Sequence, residues 1–413
     1  MKELEYIKMS NTTIHNTDII EYLTNYNGPK FHAVLSDPPY GLSFMNKKWD
    51  KYTPLEYQQW VTQWSSLLLK HLYPGAVCMF FGGTRTYHRL ATGLEDAGFE
   101  IFDSMVWCYG SGFPKSYNIS KGIDKKLGLE REIVEKRYRT ISGVAFENKI
   151  KGMQGSFSIT KPNSLLAEEW NGYGTALKPA FEPIVLCRKP KDKLTYVDCV
   201  LDYGTGGLNV DGSRIEYSGP IIRTNRTVEK SDGTKMGYFK QNGKLSTPTE
   251  LGRFPANLGL ICNCECDPCE CDYNTIGDSA RFFYTAKTSR KERNLGLDAL
   301  PELETQVTGW SGDGMPLRQN GTERKMPKAK NTHPTVKPIK LTEYLSKLLL
   351  PPIENSSILI PFSGSGSEVI GAMLAKWNVI TALEIDIDYC NIAENRIQYW
   401  KQFGTYEEAT KGK

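Results

Sequence analysis

The chain has 413 residues, 39% hydrophobic and 24% charged, which excludes wholesale disorder and leaves enough apolar material for a sizeable core. That length exceeds one ordinary compact unit and predicts two domains, or one domain carrying a large insertion. A net charge of +4 is no global mark of a nucleic-acid partner, but Lys and Arg crowd residues 115–139 and 214–253, and local basic surfaces of this kind can follow a phosphate backbone.

The charged start, Met1-Lys2-Glu3-Leu4-Glu5, has no apolar signal region, and no apolar run approaches ~18 residues, so neither secretion nor a membrane span is expected. A cytoplasmic protein follows as the expectation. Its ten cysteines then belong to a reducing compartment, as buried thiols or metal ligands and not as a disulfide framework.

In chain order, the apolar run 31–36 reads as a buried strand ending at Asp37-Pro38-Pro39-Tyr40. Residues 55–72 have helical apolar spacing, with Thr53 as N-cap and Pro54 at the first helical position. A strand at 76–81, a helix at 87–97 and a strand at 99–109 follow. This alternation predicts a parallel sheet covered by helices. The rhythm breaks over 110–176, returns as a strand at 183–187, and breaks again over 191–330, where 280–286 is the most ordered-looking piece. From His333 onward it resumes, with helices at 341–350, 368–376 and 389–403 and strands at 358–360 and 379–384.

Asp37-Pro38-Pro39-Tyr40 suits chemistry on an exocyclic base amine. Such a nitrogen is a poor nucleophile because its lone pair is delocalised into the ring. The Asp37 carboxylate can accept one amine hydrogen and a backbone carbonyl, that of Pro38, the other. Two prolines stiffen the turn, since each fixes φ and removes a competing donor. Tyr40 offers an aromatic face for stacking.

The second candidate element is Phe362-Ser363-Gly364-Ser365-Gly366, a strand-to-helix turn whose glycines let backbone approach a ligand closely. Val369 stands where the dinucleotide fingerprint would have a third glycine, so a neutral or zwitterionic cofactor fits better than a phosphate. Glu384 ends the next strand, roughly 20 residues on, placed to accept from ribose hydroxyls. His333-Pro334-Thr335-Val336-Lys337-Pro338 precedes the helix leading to this strand and is expected to line the far side of the cofactor pocket. Cys262, Cys264, Cys266, Cys269 and Cys271 lie within one short loop, and any four would suit tetrahedral structural zinc, although the spacings are tighter than a usual knuckle.

Together these residues resemble the DNA amino-methyltransferases, the family that makes N6-methyladenine and N4-methylcytosine. The catalytic motif comes first and the cofactor motif last, the order of its beta group. The stretches Asp37-Pro38-Pro39-Tyr40-Gly41-Leu42-Ser43-Phe44-Met45, Gly110-Ser111-Gly112-Phe113-Pro114-Lys115-Ser116, Ala176-Leu177-Lys178-Pro179-Ala180-Phe181-Glu182-Pro183-Ile184 and Arg281-Phe282-Phe283-Tyr284 are similar to methyltransferases of phages and mobile elements. The resemblance implies an α/β fold with a Rossmann-like sheet in circularly permuted motif order.

It also implies S-adenosylmethionine as cofactor, cradled by Phe362, Gly364, Ser365 and Gly366, with Glu384 on its ribose and His333, Thr335, Lys337 and Pro338 closing the pocket. Asp37, Pro38, Pro39 and Tyr40 then form the active site, and the base is flipped into it from double-stranded DNA. Residues 1–190 would be the catalytic half with an insertion at about 113–176, residues 191–330 a target recognition domain, and 331–413 the cofactor half. Relatives of this group often pair, so a homodimer is a further expectation. Asp at the first motif position leans towards adenine, with N4-cytosine methylation as the alternative. Ile360 departs from the carboxylate usual in the family before the glycines, and a DNA-binding regulator with weakened catalysis is the reading that departure invites. Methylation of RNA or of a protein glutamine is disfavoured by the motif order.

Overall fold

The computed structural model describes residues 11–42, 50–109, 116–138, 156–214, 254–259, 288–304 and 328–411. Its centre is an eight-stranded sheet in the order Asn11–Asn16, Val379–Glu384, Ser357–Pro361, Phe31–Ser36, Leu72–Phe81, Phe181–Arg188, Glu100–Cys108, Leu258–Gly259. The expected parallel sheet is therefore a mixed one. All ladders are parallel except the two made by Phe181–Arg188, which runs against both of its neighbours. The reason is connectivity. Glu100–Cys108 and Phe181–Arg188 are the two arms of a long antiparallel pair, and the intervening chain forms a separate compact unit, residues 111–180.

Side chains along the central strands alternate between two apolar clusters, as a period of two requires. Ala33, Leu35, Ile358 and Ile360 join the cluster formed with Leu345, Ile370, Trp377 and Trp400. Val34 and Leu359 join the opposite one, with Val61, Trp64, Leu68 and Leu90. The sheet is thus sandwiched between helix layers. Trp64, Trp377 and Trp400 are essentially fully buried, and burying side chains of this class stabilises the fold by roughly 1.5–3 kcal/mol each or more. Ile360 is one of these core residues.

The helix Pro54–Lys70 begins as its sequence predicts. Thr53 caps it reciprocally with Glu56, and Pro54 stands in the first turn. It ends at Lys70, though, and Leu72 already belongs to the next strand. The strand Asn11–Asn16 and the helix Ile19–Asn25, capped by Asp18, were not anticipated. The strand has polar residues at most positions and half-exposed edge character, so no apolar run marks it. The piece 280–286 lies outside the described residues.

Within residues 111–180, the strands Ile133–Tyr138 and Ser156–Thr160 pair antiparallel, beside the helices Ile119–Lys126 and Leu165–Glu169. Arg131, one of the basic residues of this stretch, is engaged internally. It pairs with Asp124 at 2.8 Å, and Asp124 also accepts from the Asn163 and Ser164 backbones. No helix among the described residues is long and apolar enough to cross a membrane.

Candidate active site

Three neighbouring parallel strands end at one edge of the sheet. Asp37 follows Phe31–Ser36, the glycine bend follows Ser357–Pro361, and Glu384 closes Val379–Glu384. The register fixes this meeting, with Leu359 opposite Val34 and Pro361 opposite Leu383. Ser36 Oγ donates to the Pro361 carbonyl at 2.8 Å and ties the first two strands just below the edge. Crevices beyond the carboxyl ends of such strands are where open α/β sheets take ligands.

The prolines end the strand, since neither can donate to a ladder. Two anchors then hold the turn they form. Tyr57, buried on the helix Pro54–Lys70, donates its hydroxyl to the Pro39 carbonyl at 2.8 Å. The buried Asp50 carboxylate accepts from the Gly41 and Leu42 backbones at 2.6 and 3.1 Å. Neither anchor was legible in the sequence. Tyr57 is not one of the apolar positions that mark the helix, and Asp50 follows no motif.

Asp37 is bonded on both oxygens. Oδ1 accepts from Tyr40 Oη at 2.9 Å and Oδ2 from Lys337 Nζ at 2.5 Å. Tyr40 Oη also lies 2.9 Å from Glu182 Oε2, and Lys337 Nζ lies 3.4 Å from the same oxygen. Burial raises the Asp37 carboxyl above the usual carboxylate range, with Lys337 opposing that rise and Glu182 adding to it. Burial alone would lower the Lys337 ammonium, but Asp37 and Glu182 reverse this and hold it above the ordinary lysine value. Burial, Asp37 and Glu182 together hold the Tyr40 phenol well above its usual value, so it stays protonated. Lys337 was expected to line the cofactor side, and the structure places its ammonium on Asp37. Glu182 was quoted only as part of a motif. The available signal was a lone acid at the mouth of an apolar strand.

At the bend, Phe362, Gly364 and Gly366 all take positive φ, at 58°, 51° and 80°. A left-handed non-glycine residue costs roughly 1–2 kcal/mol, and the Phe362 ring is held against Trp60 and Trp64, at 5.5 and 5.8 Å between centroids. The His333 ring lies over Gly364, where an added Cβ would come within 2.6 Å of Nε2. Thr335 N donates to His333 Nδ1 at 3.4 Å, which leaves the ring hydrogen on Nε2 in the neutral form. Pro338 starts the helix Ile339–Leu349 and accepts from Thr342 N.

Glu384 Oε2 accepts from Gly364 N, and Oε1 from Asp386 N, both at 2.8 Å. Arg396, fully buried, donates through Nη1 to the Ser365 carbonyl and Oγ and so fastens the last long helix to the bend. Burial pushes this guanidinium down to about 10. Glu368, on the first turn of the helix after the bend, is 4% exposed. Burial, then the nearby Asp37 charge, raise its carboxyl to about 7.

The arrangement joins a stiff turn with a buried carboxylate to a glycine bend rimmed by Glu384 and Glu368. The family model described as DNA methylase (N6_N4_Mtase) matches residues 31–395, a span that includes Asp37, Glu182, Lys337, the glycine bend and Glu384. The chain belongs to this DNA methylase family. The chain is also 25% identical to the type II methyltransferase M.HindIII of Haemophilus influenzae over 233 residues, 48% of this chain. That match spans 64% of the length of the relative. Among solved structures, PvuII DNA methyltransferase (cytosine-N4-specific) aligns with a TM-score of 0.46 and 12% identity, over 98% of this chain and 94% of that one. The M1.HpyAVI–SAM complex aligns with a TM-score of 0.40 and 13% identity, over 94% and 98%. Scores this low decide nothing about this chain.

Cys262, Cys264, Cys266, Cys269 and Cys271 lie outside the described residues. Among the described residues no group of three or more His, Cys, Asp or Glu side chains is placed to hold a metal ion. The five cysteines outside that loop, Cys78, Cys108, Cys187, Cys199 and Cys390, read from their apolar surroundings as core thiols; four are buried and in no disulfide, whereas Cys108 is only half-buried.

Proposed function

We propose that this chain methylates the exocyclic N6 of adenine in double-stranded DNA, using S-adenosylmethionine and direct displacement on a base turned out of the helix. The observation that carries the reading is the shared sheet edge. Asp37 and the bend 362–366 follow adjacent parallel strands, although more than three hundred residues separate them in sequence.

The residues of the bend suit the cofactor. Gly364 and Gly366 present backbone without a Cβ, Glu384 keeps a second lone pair on each oxygen for ribose hydroxyls, and Glu368 adds a carboxylate where a cationic ligand end would lie. When bound, S-adenosylmethionine supplies an electrophilic methyl group on a sulfonium. Asp37 accepts one hydrogen of the base amine and the Pro38 carbonyl the other, since the Pro39 carbonyl is held by Tyr57. Accepting both hydrogens favours a pyramidal nitrogen with its lone pair free. Lys337 stabilises the carboxylate form of Asp37 that this needs. Residues 191–330 are assigned to target recognition, on either side of them the catalytic half (1–190) and the cofactor half (331–413). The choice of adenine over cytosine rests on Asp as the first motif residue.

Asp37→Ala should abolish methyl transfer while leaving S-adenosylmethionine binding intact by calorimetry. Full activity in that variant would overturn the mechanism. Mass spectrometry of nucleosides from DNA exposed to the protein should reveal N6-methyladenine. Finding N4-methylcytosine alone would replace the proposed base by cytosine.

A further inference from the structure

We infer that Tyr40 and Glu182 form the path by which the proton shed by the substrate amine leaves Asp37, with Glu182 as the residue that receives it. This rests on the methylation reading above. The reaction releases one proton. The nitrogen lone pair forms the new N–C bond, the C–S electron pair stays on sulfur, and the now cationic nitrogen sheds one hydrogen to restore its neutral form. Asp37, which accepts that hydrogen, is 11% exposed and closed in by Lys337 and Tyr40, so bulk water is a poor exit.

Tyr40 Oη stands 2.9 Å from Asp37 Oδ1 and 2.9 Å from Glu182 Oε2. A phenol has one hydrogen, so it donates to one carboxylate at a time and can accept from the other. Once Asp37 is protonated, its hydrogen passes to Tyr40 Oη as the Tyr40 hydrogen passes to Glu182 Oε2. Asp37 returns to its carboxylate form, Tyr40 remains a phenol, and no phenolate is needed. The Glu182 side chain is 22% exposed, against 11% for Asp37 and 4% for Lys337, and can release the proton to water. Lys337, beside both carboxylates, keeps one positive charge on the network wherever the proton stands.

The antiparallel strand explains how Glu182 comes to be there. Because Phe181–Arg188 runs against its neighbours, its first residues, not its last, reach the edge where the parallel strands end. Ile184 is paired with Phe81, the last residue of its strand, so Glu182 lies past the end of that ladder, towards the site, while it stays paired with Trp107 on the other side.

The test compares single-turnover methyl transfer by the full-length wild type, Glu182→Gln and Tyr40→Phe across about pH 5 to 9, with S-adenosylmethionine and DNA binding measured in parallel. The charged and titratable groups around Glu182 are Tyr40, Lys337, Asp37 and, through its field, Tyr109. Glu182→Gln should run roughly a hundredfold below wild type, with both affinities kept within about twofold. Tyr40→Phe preserves the ring and should match it, and the double variant should be no slower than the slower single one, because the two act in series. A wild-type rate and pH profile in Glu182→Gln, or losses that multiply in the double variant, would overturn the relay. Loss of activity in Asp37→Ala alongside a normal Glu182→Gln would remove the relay and leave the methylation reading standing. Undiminished activity in Asp37→Ala would remove both.

Discussion

Replacing Lys337 by Met tests how the Asp37 carboxylate, the proposed acceptor of the amine hydrogen, is kept ionised. The pair it breaks is 2.5 Å long, with side chains 4% and 11% exposed, so solvent screens it little. At ~4 Å and an effective dielectric of ~20 such a pair is worth about 4 kcal/mol, and removing one partner of a buried pair costs about 3–5 kcal/mol. Part of that cost is relieved when Asp37 takes up a proton. Burial already raises its carboxyl, and Lys337 is the first group opposing the rise. Without Lys337 the folded-state value climbs further, while the unfolded-state value is unchanged. The stability deficit of the variant is therefore smallest in acid and widens as pH rises, until Asp37 is ionised in the folded state as well. Methyl transfer needs the carboxylate, so its acid limb moves to higher pH. A rise of about one unit, some 1.4 kcal/mol, lowers the rate about tenfold on the acid side of the limb. Single-turnover rates against pH, with urea denaturation at acid and neutral pH, measure both effects. A variant with an unmoved acid limb and a stability deficit that does not depend on pH would refute the reasoning.

Gly364→Ala should weaken S-adenosylmethionine binding about tenfold or more. Its Cβ would meet His333 Nε2 at 2.6 Å, and alanine at a φ of 51° is itself strained by roughly 1–2 kcal/mol. Calorimetry giving wild-type affinity would remove the bend from the cofactor site. Glu368 supplies a pH signature. With its carboxyl at about 7, wild-type affinity for the cationic cofactor should rise as pH passes through neutrality, and Glu368→Gln should lose that rise. Because this folded-state value is raised, the wild type is relatively more stable in acid and loses stability as pH climbs from the ordinary carboxylate range to about 7. The glutamine variant should therefore gain stability in mild alkali, on the order of 3 kcal/mol. Equal denaturation midpoints at pH 5 and 8 in both proteins would contradict it.

The sequence by itself determined what depends on neighbours along the chain. Alternating and helical apolar spacing located the helices that flank the central sheet from Pro54 and from Ile339 onward and most central strands, because burial on a two-residue or 3.6-residue period is written locally. Thr53 and Pro54 marked a helix start for the same reason. Asp37-Pro38-Pro39-Tyr40, the bend at Gly364 and Gly366, and Glu384 were legible because a turn that must stiffen or approach a ligand restricts its own residue types.

The tertiary structure decided everything that depends on strand order. The edge strand Asn11–Asn16 has little apolar pattern and is held by its partner Val379–Glu384. The reversed direction of Phe181–Arg188 follows from its pairing across the inserted unit, which no local spacing encodes. That reversal puts Glu182 beside Tyr40, and the pairing of Ser357–Pro361 with Phe31–Ser36 puts the bend beside Asp37. Lys337 reaches Asp37 across 300 residues. Such contacts arise because buried charges need partners in space, and only the folded chain determines which groups meet.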